Sequence, residues 1–282
     1  MRAELSASPK RPTRRLARTG RALRRVPGPS LAAIYLSFLV LIPLAAVFSH
    51  AFTGGPKVLW AEVTQSETLA ALRLSLLCSL GVVVVNAFTG TAIAWLLVRD
   101  RFVVNRVIGA VVDLPFALPT IIAGVTLLSL YGPNSPLHLD LAFSRYAILV
   151  ALAFVTLPFS VRSVQPVLEA LDEETEEAAA TLGARPRTVF WRITLPALMP
   201  ALLTGAGLGF ARAVGEYGSV VILSGNVPFK TEVASVRIFS LIGNDDLGGA
   251  AATSLALFVI AIVVLSITAV ARRHYLPRDA ET

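Results

Sequence analysis

The chain of 282 residues carries little charge. Asp, Glu, Lys and Arg together make up 15% of it, whereas soluble domains contain about 25% of these residues. Hydrophobic residues make up 55%, and the mean hydropathy is +0.71. This composition excludes a soluble enzyme, a disordered protein and a disulfide-bonded scaffold. It predicts a polytopic membrane protein whose apolar stretches each cross a hydrocarbon core about 30 Å thick.

Cysteine and histidine are also scarce. The single cysteine, Cys78, lies within an apolar run, which excludes an intrachain disulfide and a thiolate metal cluster. The three histidines, His50, His138 and His274, fall on separate segments without the spacing of metal ligands. We therefore expect the chain to hold no metal and no cofactor.

The chain has only three lysines, and none of them belongs to a nucleotide-binding loop. A P-loop requires Gly-x4-Gly-Lys-Ser/Thr, but Lys10, Lys57 and Lys230 do not follow a glycine. Neither a Ser/His/Asp arrangement in a suitable order nor an HExxH helix is found in the sequence. We therefore predict a protein that catalyses no reaction itself. Uphill transport would take its energy from an ion gradient or from another subunit.

Six apolar runs are long enough to cross a membrane as helices. They cover about residues 31–49, 74–98, 107–131, 146–161, 197–223 and 250–271. These runs predict an all-α membrane domain over residues 29–273. A basic, disordered tail of residues 1–28 precedes it, and a short tail of residues 274–282 follows it.

The Lys and Arg residues lie mainly on one side of this six-span topology. The side with both termini and with loops 99–106 and 162–195 carries 19 of them, whereas the alternate loops carry five. The positive-inside rule therefore predicts that both termini are cytoplasmic. Beside a membrane span, the basic tail indicates contact with anionic lipid rather than with nucleic acid.

The cytoplasmic loop 162–195 combines several helix signals. Six acidic residues lie between Glu169 and Glu177, and Asp172 can cap a helix whose first turns are acidic. Gly183 suits a left-handed helix end, and Pro186 suits the first turn of a second helix. The loop is therefore expected to form a short helix, a glycine turn and a second helix.

The same loop contains a spaced motif. It reads Glu177-Ala178-Ala179, three residues, Gly183, nine residues, Ile193, one residue, and Leu195-Pro196. At every position it resembles the EAA motif of ABC importer permeases. The resemblance implies that these residues dock in a cleft of a separate ATPase subunit and couple its closure to transport.

Four further segments narrow the resemblance to the sulfate/thiosulfate permease subunit of the CysT type. They are Asp113-Leu-Pro-Phe-Ala-Leu-Pro-Thr120, Phe154-Val-Thr-Leu-Pro-Phe159, Gly215-Glu-Tyr-Gly-Ser219 and Lys230-Thr-Glu-Val233. Tyr217 stands where a phenylalanine is expected. The resemblance implies a type I importer fold in a bacterial inner membrane. It also implies a homologous second permease, an ABC ATPase dimer and an extracytoplasmic sulfate-binding protein as partners.

Three other functions compete with import of sulfate or thiosulfate. Molybdate and tungstate are also tetrahedral dianions, and their permeases share several of these motifs. An ion-coupled secondary transporter would need intramembrane acids, for which Asp113 and Glu216 are the candidates. A membrane scaffold without transport activity would leave Arg212 and the interrupted spans unexplained.

Four residues within the apolar runs are candidates for an anion path or gate. Arg212 and Glu216 lie four residues apart, so they either neutralise each other or leave Arg212 to attract an anion. Pro115 and Pro119 interrupt the hydrogen bonding of the third run. They mark either a packing kink or a broken helix beside the substrate path.

The topology predicts which inserted tags a protease can reach. A tag at residue 20 is expected to resist external protease in intact cells, whereas a tag at Gly243 is expected to be cleaved. Digestion of intact and permeabilised cells, followed by immunoblotting, measures both. Cleavage of the residue-20 tag in intact cells would contradict the cytoplasmic placement of the termini.

Overall fold

Residues 27–100 and 104–275 are described in a computed structural model, and every regular element among them is helical. The chain divides into two units, Met1–Leu44 and Ala45–Thr282. The first unit, from residue 27 on, contains α1 (Pro27–Leu36), a π-helical turn (Ser37–Leu41) and the first residues of α2 (Ile42–Ala51). The predicted tail 1–28 therefore ends earlier than expected, since residues 27 and 28 are helical. Most of that tail lies outside the described residues.

The second unit contains the remaining helices. These are α3 (Gly55–Thr64), α4 (Ser66–Arg99), α5 (Asn105–Ala117), α6 (Thr120–Tyr131), α7 (Arg145–Ala170), α8 (Glu173–Thr181), α9 (Pro186–Val189), α10 (Leu195–Val214), α11 (Gly218–Leu223), α12 (Ala234–Gly243) and α13 (Leu247–Arg273). A second π-helical turn, Phe190–Thr194, joins α9 to α10. Within the described part of the chain, five helical stretches are long and apolar enough to span a membrane, and α5 with α6 gives a sixth if counted as one span.

The core of the second unit forms where α4, α7 and α10 pack together. Buried Asn86 on α4 donates from Nδ2 to the Ala153 carbonyl at 3.0 Å and to Thr156 Oγ1 at 2.9 Å. Gly90 lets the same two helices approach closely, because a Cβ there would lie 2.6 Å from Cβ of Ser160. Small residues and satisfied polar groups thus hold the long helices together within the membrane.

The third apolar run is not one straight span, because α5 and α6 are bent by 119°. The break lies at Leu118, which is extended (φ −87°, ψ 130°), as residues before proline tend to be. Pro119 lacks an N–H and therefore begins α6 instead of continuing α5. Pro115, in contrast, lies inside α5 without ending it.

The predicted fifth span, 197–223, is wrong at its end. Its helix ends at Val214, and the separate helix α11 begins at Gly218. The apolar sequence continues across this break, but the helix does not. Glu216 lies between the two helices, and its side chain accepts a hydrogen bond from the Ser219 N–H in the first turn of α11.

The predicted loop 162–195 is shorter than expected. Helix α7 continues past Arg162 to Ala170, and the helical stretch Pro186–Val214 already includes the end of the loop. Only residues 171–185, with α8 among them, lie outside the spanning helices. Arg162 therefore lies within a spanning helix, as Arg212 does.

Candidate coupling site and interrupted spans

Helix α8 begins and ends as the sequence predicts. The Glu174 N–H donates to Asp172 Oδ1 at 3.0 Å, which confirms Asp172 as the N-cap. Gly183 has a φ of +87°, which confirms the left-handed helix end. The Ala184 N–H donates to the Ala179 carbonyl at 3.1 Å, and the Gly183 N–H donates to the Ala180 carbonyl at 2.9 Å. The turn therefore satisfies carbonyls that the end of the helix would leave free.

The second half of the hairpin is continuous with a membrane span. Pro186 lies in the first turn of α9, as predicted. The π-helical turn Phe190–Thr194 then leads directly into α10. A displacement of α8 can therefore reach the membrane through a single turn and a continuous helix.

Ion-pair and aromatic contacts attach α8 to the ends of two spans. Arg99, at the end of α4, lies with its Nη2 3.2 Å from Glu176 Oε1 on α8. The Thr194 hydroxyl donates to the same Glu176 oxygen at 2.7 Å. The Arg99 guanidinium stacks 5.6 Å from the Trp95 ring centre, and Trp95 meets Phe190 edge-on at 6.0 Å. Glu176 thus joins α4, α8 and the start of the α10 span.

Sequence reasoning missed this attachment. It counted Arg99 only for orientation and Glu176 only as one acid of a run. The position of Glu176 directly beside the motif residue Glu177 was the one sequence signal for its role. No local pattern could predict its partner Arg99, which lies 77 positions away.

The predicted motif residues divide by exposure. Those on the surface are Glu177, Ala178, Gly183 and Pro196, and those half-buried are Ala179, Ile193 and Leu195. Two large apolar side chains beside them are also exposed, Leu182 at 89% and Trp191 at 64%. Leu182 and Trp191 thus add apolar surface beside the motif.

The two interrupted spans meet at their breaks, where α6 packs against α11. A Cβ at Gly218 would lie 3.0 Å from the Ile121 nitrogen, and a Cβ at Gly124 would lie 2.9 Å from the Ser219 carbonyl oxygen. Glycine is therefore required at both positions for the backbones to approach this closely. The structure thus brings the region of Pro119 next to the segment that contains Glu216.

Arg212 and Glu216 form an ion pair at 2.6 Å, although Glu216 lies beyond the helix end and not on the same helix face. The Glu216 side chain is 1% exposed, whereas that of Arg212 is 33% exposed. Ser219 donates to Glu216 Oε1 from its N–H at 2.9 Å and from its hydroxyl at 2.8 Å. The Glu216 carboxylate is thus satisfied by three donors inside the protein.

Asp113 is not an isolated polar residue at the membrane entrance. Arg162 on α7 forms a bidentate ion pair with it, donating from Nε to Asp113 Oδ1 at 2.8 Å and from Nη2 to Asp113 Oδ2. Arg162 also donates to the Gly109 carbonyl and to Gln165 Oε1. This ion pair joins α5, which precedes the break, to α7, which leads into residues 171–185.

A further carboxylate is buried on the side opposite α8. Glu232 is 5% exposed and follows α11, near the 2.6 Å ion pair between Arg237 and Glu67. Burial raises the pKa of the Glu232 carboxyl, and the Arg237 guanidinium opposes that shift. The Ser240 hydroxyl lies 3.5 Å from Glu232 Oε1. Nothing in the local sequence of this loop predicts the cluster, because its members come from α4, α12 and the loop between α11 and α12.

The whole arrangement resembles solved transporter structures. A bacterial ABC transporter involved in the import of the acidic polysaccharide alginate matches with a TM-score of 0.70 at 17% identity, covering 86% of this chain and 93% of that one. The MetNI methionine ABC transporter, in inward-facing conformations, matches with a TM-score of 0.55 at 19% identity, covering 76% and 100%. The fold is therefore that of the membrane subunits of ABC importers.

The sequence comparisons define the family. Residues 86–276 match the family described as binding-protein-dependent transport system inner membrane component. A probable sulfate transport system permease protein cysT from Zygnema circumcarinatum is 41% identical over 84% of this chain and 85% of its own length. CysT proteins of Synechocystis and Escherichia coli are 40% and 36% identical, over 83% and 86% of this chain and 84% and 91% of their own. The chain belongs to this inner-membrane transport family and, within it, to the CysT-type permease proteins, which are multi-pass membrane proteins.

Substitutions in the Arg212–Glu216 ion pair test whether the pair stabilises the folded protein. Arg212→Gln is expected to lower the melting temperature and the amount of inserted protein, since an unpaired buried carboxylate costs about 3–5 kcal/mol. Adding Glu216→Gln is expected to recover most of the loss, because glutamine keeps an oxygen acceptor for Ser219. Fluorescence-detected thermal unfolding in detergent measures all variants.

Lys57→Gln is the matched control, since it removes one exposed charge. Lys57→Gln should melt and insert like the wild type. An equal loss in Lys57→Gln and Arg212→Gln would contradict the interpretation of the pair as a structural contact. An Arg212→Gln protein with normal melting temperature and normal assembly, but with reduced uptake, would place Arg212 in the anion path instead.

Proposed function

We propose that the chain is the permease subunit of an ATP-driven importer that moves sulfate or thiosulfate into the cytoplasm. ATP hydrolysis takes place on a separate subunit. The observation that carries the proposal is the exposed helical hairpin at Gly183, which contacts the ends of α4 and α10 and is continuous with α10. The similarity to CysT proteins, which are sulfate transport system permease proteins, supports sulfate as the substrate.

The coupling surface is formed by the exposed side of α8 and its turn. Glu177, Ala178 and Gly183 leave room for a close approach, and Leu182 offers an apolar side chain at 89% exposure. The acidic helix supplies negative charge to complement a basic rim on the partner. We place an ABC ATPase dimer on this surface, with Ile193, Leu195 and Pro196 extending the coupling segment into the α10 span.

Movement of the ATPase would reach the membrane through Glu176. Its carboxylate binds Arg99 on α4 and Thr194 before α10, so that α8 cannot shift without displacing one or both spans. The π-helical turn at Phe190–Thr194 is the place where the register of the α10 span can adjust. These contacts support coupling of the hairpin to two spans at once.

The anion path would run beside the interrupted spans. The break at Leu118–Pro119 lies about 20 Å along α5 from its first residue, which places it well inside the bilayer. A helix N-terminus at such a break presents free N–H groups, which suit a dianion. Pro119 thus belongs to the path, and Pro115 positions the approach to the break.

We assign Arg212 and Glu216 to the support of this region. Glu216 accepts a hydrogen bond from the first turn of α11 and pairs with Arg212, and both contacts hold its side chain inside the protein. The pair therefore holds the second break in place next to the first.

The arrangement of carboxylates does not favour a proton- or sodium-coupled transporter. Such coupling requires an acid that binds and releases an ion. Asp113 is bound to Arg162 in a bidentate pair, and Glu216 is bound to Arg212 and Ser219. An ABC importer needs neither acid for energy. Molybdate and tungstate remain the competing substrates, since the charge and shape of these dianions resemble those of sulfate.

The assembly follows from the family. We place the permease domain over about residues 27–273 in a bacterial inner membrane, with both termini cytoplasmic. Its partners would be a homologous second permease, the ATPase dimer and an extracytoplasmic sulfate-binding protein. The permease itself would need no cofactor for this function.

Gly183→Asp tests the coupling surface. The substitution adds a Cβ at a φ of +87°, which costs about 1–2 kcal/mol, and puts a negative charge at the negative end of the α8 dipole. We expect an inserted permease that fails to retain its ATPase and supports less than about a tenth of normal uptake, a tenfold loss that corresponds to about 1.4 kcal/mol. Copurification of the ATPase with washed membranes, together with labelled sulfate uptake, measures both.

Gly55→Asp is the matched control. Gly55 also has a positive φ, +81°, and open space around its Cβ position, but it is the first residue of α3, on the side opposite α8. Its variant should insert and retain the ATPase. Equal loss of the ATPase in both variants would trace the effect to backbone strain, and normal retention in Gly183→Asp would contradict the proposed surface.

Competition uptake tests the substrate. Cells that carry the complete transporter are expected to take up labelled sulfate, and excess thiosulfate should inhibit this uptake more strongly than equal molybdate. The expectation rests on the resemblance to sulfate/thiosulfate permeases, since the charge and shape of molybdate do not separate it from sulfate. Stronger inhibition by molybdate or tungstate than by thiosulfate would assign the chain to those anions.

A further inference from the structure

An apolar groove of about 460 Å³ lies between α3, α4 and α13, away from α8 and from the interrupted spans. Its lining side chains include Leu59 and Trp60 on α3, Leu76 on α4, and Ala256 and Val259 on α13. Among the described residues, Arg73 on α4 is the only charged one that lines it. The volume falls within the range of ligand-binding pockets, about 300–1,000 Å³.

The position of Arg73 along α4 places the groove at one bilayer surface. Residues 73 and 99 are separated by about 39 Å of helix, at 1.5 Å per residue. A bilayer with its headgroups is about 40–45 Å thick. With Arg99 in the headgroup layer on the side of the coupling loop, Arg73 lies in the opposite headgroup layer.

The apolar part of the groove extends from that layer into the hydrocarbon. The lining residues of α13 begin at Ala252 and end at Ile260, about 8 to 20 Å along the helix from its start at Leu247. Trp60 is 70% exposed on α3, and tryptophan is enriched at membrane interfaces. The groove therefore has a polar mouth at headgroup depth and an apolar floor at acyl-chain depth.

Arg73 has no internal charge to neutralise it. Within residues 27–100 and 104–275 it takes part in no ion pair or hydrogen bond, in contrast to Arg162, Arg212 and Arg237. A cation at headgroup depth above an apolar groove matches a ligand that has an anionic group at one end and a hydrocarbon chain at the other.

We propose that the groove binds an anionic phospholipid of the leaflet opposite the coupling loop, with its phosphate on Arg73 and an acyl chain along Leu76, Ala256 and Val259. The lipid fills the gap between α4 and α13. A neighbouring position, formed by Ala251, Leu255 and Leu59, is taken by Val47 and Ala51 at the end of α2. That part of the chain therefore does not occupy the groove.

Lipid titration with native mass spectrometry tests the proposal. The permease is purified with its copurifying subunits, delipidated, and titrated with phosphatidylglycerol or phosphatidylcholine. We expect the wild type to prefer phosphatidylglycerol, and Arg73→Gln to weaken its binding about fivefold, as expected for loss of one interfacial charge. Lys57→Gln removes a charge from the same side without lining the groove, and it should bind like the wild type.

A second pair of variants tests the apolar part. Ala256→Phe fills the groove and should weaken binding of both lipids, whereas Ala269→Phe changes an exposed position further along the same helix and should not. Wild-type binding in Arg73→Gln, or equal losses in Arg73→Gln and Lys57→Gln, would overturn the proposal. A photo-crosslinker at position 256 should label lipid in intact membranes. Crosslinking to a second permease subunit would instead show that a protein helix covers the groove.

Discussion

The whole molecule depends on one constraint, that backbone N–H and C=O groups inside a bilayer must find partners within the protein. Continuous helices satisfy it along α4, α7 and α13. It becomes difficult only at the two breaks, Leu118–Pro119 and Gly215–Tyr217. These two breaks pack against each other, and the glycines at 124 and 218 allow their backbones to come into contact. Glu216 supplies an acceptor to the first turn of α11. The irregular backbone is thus buried against other irregular backbone.

The hairpin that we propose as the coupling surface is attached to the ends of spans. A loop on the membrane surface can transmit motion only if it is fixed to rigid elements. Glu176 provides this through Arg99 and Thr194, and the helical stretch from Pro186 provides it through the backbone. Gly183 sets the angle between the two halves, because only a left-handed residue reverses the chain so tightly. The motif therefore combines a freely exposed face with two independent attachments.

The sequence could predict features that depend on neighbouring residues. The cap at Asp172, the turn at Gly183 and the start at Pro186 follow from local backbone chemistry, and the structure confirms all three. Hydropathy located the apolar runs but missed the end of α10, since it records composition and not the break at Gly215. The pairs Arg99–Glu176 and Asp113–Arg162 could not be predicted, because each joins distant elements.

The pairing of charges also bears on how a dianion could cross. A transport path must hold its ion firmly enough for entry but weakly enough for release. A free arginine at membrane depth would bind a dianion too tightly in a medium of low dielectric constant. In the described spans, Arg162 and Arg212 are each neutralised by a carboxylate. On the route proposed beside the α6 break, an anion would therefore meet the partial charges of backbone N–H groups. Such charges are fixed in place by the fold and would stabilise an anion without retaining it.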